Sequence, residues 1–197
     1  MAITTATELK TALGNWLNRT DLGARLDEFI VLAESRLNRQ LRVRGMEASM
    51  LSTALVAGAT ALPVSFLAFK ELRGDYVGGY TLEPRPLEWI RNQGAAGGFP
   101  GYYAVTNTQV LCYPGDGSVM GTYYQALPSL SSNAVNWLLS AHPDLYLMAC
   151  LEEAAVYTRN EKLGVMAGTR AQGVIDSLQS SDNANAVSGG PLVVRVR

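Results

Sequence analysis

Charge is scarce in this chain. Of its 197 residues 17% are Asp, Glu, Lys or Arg, against roughly a quarter in an ordinary globular domain. Sixteen basic and seventeen acidic residues leave a net charge of −1. A protein that holds nucleic acid or membrane by bulk electrostatics carries a marked basic excess, and nothing in the overall charge suggests that class. A neutral surface suits a protein that works packed against neighbours. Cysteine is nearly absent. Cys112 and Cys150 stand alone in apolar surroundings, which gives neither a disulfide framework nor metal-ligand spacing. Both are expected to be buried free thiols made in a reducing compartment. No apolar run reaches the roughly 20 residues that cross a bilayer. The start, Met1-Ala2-Ile3-Thr4-Thr5, lacks the basic-then-apolar order of a signal peptide, so synthesis and assembly in a cytoplasm are expected.

Apolar residues, at 48%, are plentiful enough for a substantial core. Thr5-Ala6-Thr7-Glu8 reads as a capping box, with a hydroxyl and a carboxylate three residues apart satisfying free amides reciprocally. Leu9, Ala12, Leu13, Trp16 and Leu17 follow as an apolar stripe, ending near Asn18-Arg19-Thr20. Thr20 or Asp21 then caps a second helix, from about Leu22 to Arg42. Its buried face is Leu26, Phe29, Ile30, Ala33, Leu37 and Leu41. Acids come early (Asp27, Glu28, Glu34) and arginines late (Arg36, Arg39, Arg42), the order that a helix dipole favours. The run Arg36, Arg39, Arg42 and Arg44 contains no acid. Dipole pairing and solvation account for it without a partner; the alternative is contact with a partner carboxylate, a neighbouring subunit or DNA.

At Gly45 the helical period stops. Up to Ala126, Gly, Pro and Thr punctuate short runs of Val, Tyr and Leu, the pattern of short strands and turns. Met46–Leu55 and Thr60–Pro63 read as strands. Phe69–Val77 and Tyr80–Arg85 flank Gly78-Gly79, a hairpin signal. Pro86–Arg91 reads as one helical turn with proline leading. A glycine-rich loop, Gly94–Gly101, precedes a second hairpin, Tyr102–Val105 with Thr108–Tyr113. Pro114-Gly115-Asp116-Gly117 turns into Val119–Ala126. The set predicts a small, mostly antiparallel sheet in a sandwich or partial barrel. In Tyr102-Tyr103 and Tyr123-Tyr124 one ring of each pair should face inward.

Residues 127–135 form a polar linker. Helical spacing returns from Asn136 through His142-Pro143-Asp144 to Leu178, with Asn160 dividing two helices that each have one face to bury and placed to cap the second. Residues 179–190 have the Ser, Asn, Asp and Gly content of a flexible linker. The last seven, Pro191, Leu192, Val193, Val194, Arg195, Val196 and Arg197, alternate branched and basic side chains like a strand without a partner.

Catalytic chemistry finds little support. Ser140, His142 and Asp144 are near neighbours, but triad members are brought together by a fold and no nucleophile elbow accompanies them. A capping or packing role suits His142, and a hydrolase centred there is the minor alternative. The glycine-rich loop lacks the strand, helix and lysine of a phosphate-binding motif. Adjacent Glu152 and Glu153 point in different directions and form no dyad. No catalytic residue, cofactor or metal is expected.

Across nearly its whole length the chain resembles the head-to-tail adaptor (connector) proteins of tailed bacteriophages, the short-tailed type above all. The resemblance is carried by Asn15-Trp16-Leu17-Asn18-Arg19 and by Ala33-Glu34-Ser35-Arg36-Leu37-Asn38-Arg39-Gln40-Leu41-Arg42. Tyr102-Tyr103-Ala104-Val105, Tyr123-Tyr124, Asn136-Trp137-Leu138-Leu139 and His142-Pro143-Asp144-Leu145-Tyr146 continue it, and Gly189-Gly190-Pro191-Leu192 closes it. The specificity lies in their order and spacing.

The expected fold is α+β: a helical bundle formed by both chain ends, residues 1–44 and 127–179, with an inserted β module at 45–126. A flexible linker and docking arm at 180–197 complete it. The resemblance implies a structural virion protein in a twelve-subunit ring, with the portal protein above, a tail nozzle or tail-tube protein below and packaged double-stranded DNA passing through the lumen. It implies that residues 191–197 reach the portal. A DNA-binding module built on Arg36, Arg39, Arg42 and Arg44 is the alternative.

Overall fold

The computed structural model describes residues 3–19, 21–94 and 96–187. In chain order the elements are α1 (Ala6–Leu17), α2 (Leu26–Gln40), β1 (Glu47–Ala54), β2 (Ala59–Ala61), β3 (Phe66–Gly74), β4 (Glu83–Pro84), α3 (Leu87–Asn92), β5 (Tyr102–Val105), β6 (Gln109–Tyr113), β7 (Ser118–Gln125), α4 (Trp137–Ala141), α5 (Pro143–Thr158) and α6 (Glu161–Val187). They make an α+β fold in two compact units: residues 1–45 with 127–197, and Met46–Ala126.

In the helical unit, α1 starts with the expected capping box. The Thr5 hydroxyl accepts the Glu8 N–H at 3.3 Å, and the Glu8 carboxylate takes the N–H groups of Thr4 and Thr5 and the Thr4 hydroxyl, at 2.7, 3.0 and 2.7 Å. These bonds, led by that from the Thr4 hydroxyl, hold the Glu8 carboxyl below its ordinary pKa. Leu9 and Leu13 are buried, but Trp16, expected on the same stripe, is half exposed at 51%. Three turns from the cap the stripe has drifted off the core, and Asn18 closes the helix in the left-handed region. The second helix starts differently from expectation. Asp21 is clamped by Arg19, so it caps nothing; a 3₁₀ turn, Gly23–Arg25, leads into α2 with no side-chain cap. Thr20 lies outside the described residues. The buried face of α2 is the expected one, Leu26, Phe29, Ile30, Ala33, Leu37 and Leu41.

The centre of the unit is α5. Leu145, Tyr146, Leu147, Met148, Ala149, Cys150 and Leu151 are all buried. Seven consecutive buried residues leave no polar face, so α5 is a core helix enclosed by α1, α2, α4 and α6 rather than a one-faced helix. Beyond Arg159, in the left-handed region, Asn160 takes the Leu163 N–H as predicted. In α6 the buried positions Ala167, Ala171 and Ile175 recur every fourth residue, the spacing of one helix face. Gly164 brings the backbones of α5 and α6 close: a Cβ there would stand 3.5 Å from that of Ala155.

Helix α6 runs on to Val187, through residues that composition assigned to linker. Tertiary anchors override the composition. Gln179 Nε2 donates to the Gln40 carbonyl at 2.9 Å, and Asp182 accepts the Arg44 N–H at 3.0 Å. The proposed boundary at residue 180 thus falls inside a helix.

The β unit has two sheets, ordered β1-β7-β3 and β2-β6-β5-β4. Met50, Leu72, Val119 and Tyr123 from the first meet Val110 and Cys112 from the second, with Leu82, in one core. Pairing is antiparallel except between β4 and β5. The hairpin expected at Gly78-Gly79 starts as such, with Leu82 N–H donating to the Leu72 carbonyl at 2.7 Å. The returning chain then leaves for the other sheet, where β4 runs parallel to β5. The Tyr102–Tyr113 hairpin forms as expected, its second strand starting at Gln109 rather than Thr108, with Tyr102 opposite Tyr113 and Val105 opposite Val110. Tyr103 and Tyr123 face the core, as the alternation required. Tyr102 instead lies against Trp89 and under the Arg85 guanidinium, 5.0 Å from each.

Candidate functional site

The arginine run separates into different roles. Arg36 reaches α5, where it pairs with Glu152 and, at 3.6 Å, with Glu153, and donates to the Ala149 carbonyl at 3.3 Å. The two adjacent carboxylates, which form no dyad, therefore share one guanidinium between helices. Arg42 donates to the carbonyls of Asn38 and Leu41, tying off the end of its own helix. Arg44 pairs with Asp182 on α6 at 3.4 Å. Arg39 is exposed in the last turn of α2. Arg36 and Arg44 spend their charge on acids of their own chain.

The most elaborate polar arrangement in the helical unit is centred on Glu34. It lies on the apolar stripe of α2, between Ile30 and Leu37, and is buried. Its carboxylate accepts three bonds: from the Leu130 N–H at 2.8 Å, the Ser129 hydroxyl at 2.7 Å and the Tyr146 hydroxyl at 2.8 Å. Tyr146 in turn accepts from Asn136 Nδ2 at 2.9 Å, the same amide that bonds the Pro128 carbonyl at 2.9 Å. Asn136 Oδ1 caps α4 by taking the Leu139 N–H at 2.8 Å. One turn along α2, Asn38 Oδ1 takes the Leu127 N–H at 2.8 Å. A buried carboxylate is tolerated only when its acceptors are filled, and here the donors come from the linker and α5. Burial first, then the Glu34 charge, push the Tyr146 hydroxyl far above its ordinary pKa, so it remains a donor.

These residues were not singled out by the sequence, though a signal existed. Glu34 interrupts a stripe that is otherwise apolar at Ile30, Ala33, Leu37 and Leu41. An acid at such a position needs partners. Three of the stretches that carried the resemblance, at Glu34–Asn38, Asn136 and Tyr146, are the stretches that this network joins.

His142 joins α4 to α5 through its backbone: its N–H donates to the Leu138 carbonyl at 2.8 Å, and its side chain makes no capping bond. Pro143 takes the first position of α5. Among the described residues no group of His, Cys, Asp and Glu is arranged to hold a metal ion, and no helix is long and apolar enough to cross a membrane. Burial pushes the Cys112 thiol up to about 12 and raises Cys150 further; neither is a nucleophile at neutral pH. In the β unit a cavity of about 500 Å³ is lined by Ile90, Arg91, Cys112, Tyr113 and Asp116. Asp116 accepts the Gly98 N–H there at 2.8 Å. The arm, Pro191, Leu192, Val193, Val194, Arg195, Val196 and Arg197, lies outside the described residues.

Comparison with curated proteins found no match. The model of one family, described as SU10 adaptor protein, matches residues 4–195. That span takes in both helical segments, the β unit and nearly all of the tail. The chain belongs to the SU10 adaptor protein family, a family of phage adaptors, as its sequence resemblance implied.

Proposed function

We propose that the protein is a structural, non-enzymatic component of a bacteriophage neck, joining the portal to the tail. Copies stand side by side in a twelve-subunit ring, with portal protein above, a nozzle or tail-tube protein below and double-stranded DNA threading the lumen. The observation that carries this reading is the family match over residues 4–195. The internal use of Arg36 and Arg44 speaks against phosphate clamping by those residues, and a channel that lets a duplex slide is served by weak phosphate contact.

The portal-binding element is the arm, residues 191–197. Alternating branched and basic side chains lend an extended segment backbone hydrogen bonds for affinity and side chains for specificity. One arm binds weakly because ordering it costs entropy. Many arms on one ring bind together, and the effective concentration of each is set by its neighbours. Deletion of residues 191–197 should leave the thermal melt unchanged and abolish co-sedimentation with portal rings. A truncated chain that still sediments with them assigns the contact to another surface.

A further inference from the structure

Two outward faces of the helical unit carry matching patterns of opposite charge. On α2, Val31 and Leu32 are 45% and 52% exposed, between Glu28 one turn before and Ser35 one turn after. On α6, Val165 and Met166 are 71% and 41% exposed, between Lys162 and Thr169. The spacing is the same in both: a charge, two apolar residues three and four positions on, and a hydroxyl seven positions on. The charge is acidic on α2 and basic on α6. Arg170 gives the α6 face a second cation, and neither Lys162 nor Arg170 makes an ion pair among the described residues. Asp27 and Glu28 are held by Lys10 and Arg25 and still keep 60% and 55% of their side chains in solvent.

The placement of the faces matters as much as their chemistry. Helix α5 stands between α2 and α6 and is packed by both. The seams facing it, Ile30, Ala33 and Leu37 on one side and Ala167, Ala171 and Ile175 on the other, are buried. The exposed pairs are on the reverse of those seams, so the two faces look away from α5 in different directions. No single subunit satisfies both. A contact between unlike faces is head-to-tail and repeats from copy to copy, which is how closed rings are built.

We infer that the occupant of the α6 face is a second copy of this chain, which presents Val31 and Leu32 of α2 to Val165 and Met166, with Glu28 and Asp27 beside the Lys162 and Arg170 cations. This rests on the ring reading above and names the surfaces that make the ring. Each contact is small, four apolar side chains with a charged rim, so a lone pair is weak and closure of the ring supplies the stability.

The test uses sedimentation velocity of the full chain, alone and mixed with portal rings. Leu32→Asp blocks only the α2 face and Met166→Asp only the α6 face; each is at an exposed position and should keep the wild-type melting curve. Each variant alone, and an equimolar mixture of the two, is expected to form no ring, because a mixture keeps one intact face of each kind and can pair once but cannot close. Lys162→Glu should weaken assembly at least tenfold, and adding Glu28→Lys to the same chain should restore it. If the wild type forms rings and both aspartate variants do too, the faces are wrong and the ring reading stands. If the wild type stays monomeric even on portal rings, the ring reading falls, and this inference with it.

Discussion

Glu34 accepts bonds from three groups, the Leu130 N–H and the Ser129 and Tyr146 hydroxyls. Glu34→Ala would strand the buried Leu130 N–H and deprive the Tyr146 hydroxyl of its acceptor, at a cost of about 2–5 kcal/mol. Tyr146→Phe removes one donor and leaves the carboxylate two, at about 1–2 kcal/mol. Urea melts of both variants, with unchanged slope and shifted midpoint, check the order. An equal loss in both would put the stabilisation in ring packing rather than in the carboxylate. Cys112 gives a pH-dependent counterpart. Its folded pKa of about 12 lies above the unfolded value near 8.5. The thiol is protonated in both states below that lower value, where its contribution is fully present. Between about 8.5 and 12 only the unfolded chain ionises, so stability falls as pH rises through that window. Cys112→Ser should flatten the alkaline limb of the stability profile relative to the wild type. In the folded protein, iodoacetamide at pH 8 should label neither cysteine within the time that labels the urea-unfolded chain completely, as read by mass spectrometry.

At the scale of single elements, α1 depends on its cap and α6 on its far anchors. Thr5→Ala should cost about 1 kcal/mol, and the Glu8 carboxyl makes that cap sensitive to acid. Its pKa is lowered by folding, so its contribution is present above the unfolded carboxylate value and lost as pH falls through the lower, folded one. Glu8→Gln should remove that part of the acid limb in thermal melts. Asp182→Ala, by freeing Arg44, should loosen the last two turns of α6 and speed amide exchange after Gln179 while leaving exchange in α5 unchanged. In the β unit, a Cβ on Gly121 would meet the Glu71 carbonyl at 2.3 Å; Gly121→Ala must push β3 from β7, and loss of the folded β unit by circular dichroism is the expected result. The elements differ in how far the sequence revealed them. Caps at Thr5 and Asn160, the α2 stripe and the Tyr102–Tyr113 hairpin follow from local chemistry and were legible. The helix over residues 180–187 and the escape of β4 to a second sheet were not. Both are decided by contacts far along the chain, Gln179 with Gln40 and Glu83 with Tyr102, which no local pattern contains. The Glu34 network falls between these cases: the acid on an apolar stripe was visible, its partners some hundred residues away were not.

For the whole molecule, the helical unit is a body whose central helix is enclosed and whose linker is fastened to α2 by hydrogen bonds. The family match spans that body, the β unit and nearly all of the tail, and the proposed function follows from treating the body as the ring and residues 191–197 as its attachment. The most direct measurement is electron cryo-microscopy of portal rings incubated with the full chain and with a chain ending at residue 190. The account predicts a second, coaxial ring of density with the portal's complement of adaptor subunits on rings given the full chain, and bare portals with the shortened one. Bare portals with the full chain at saturating concentration would contradict it.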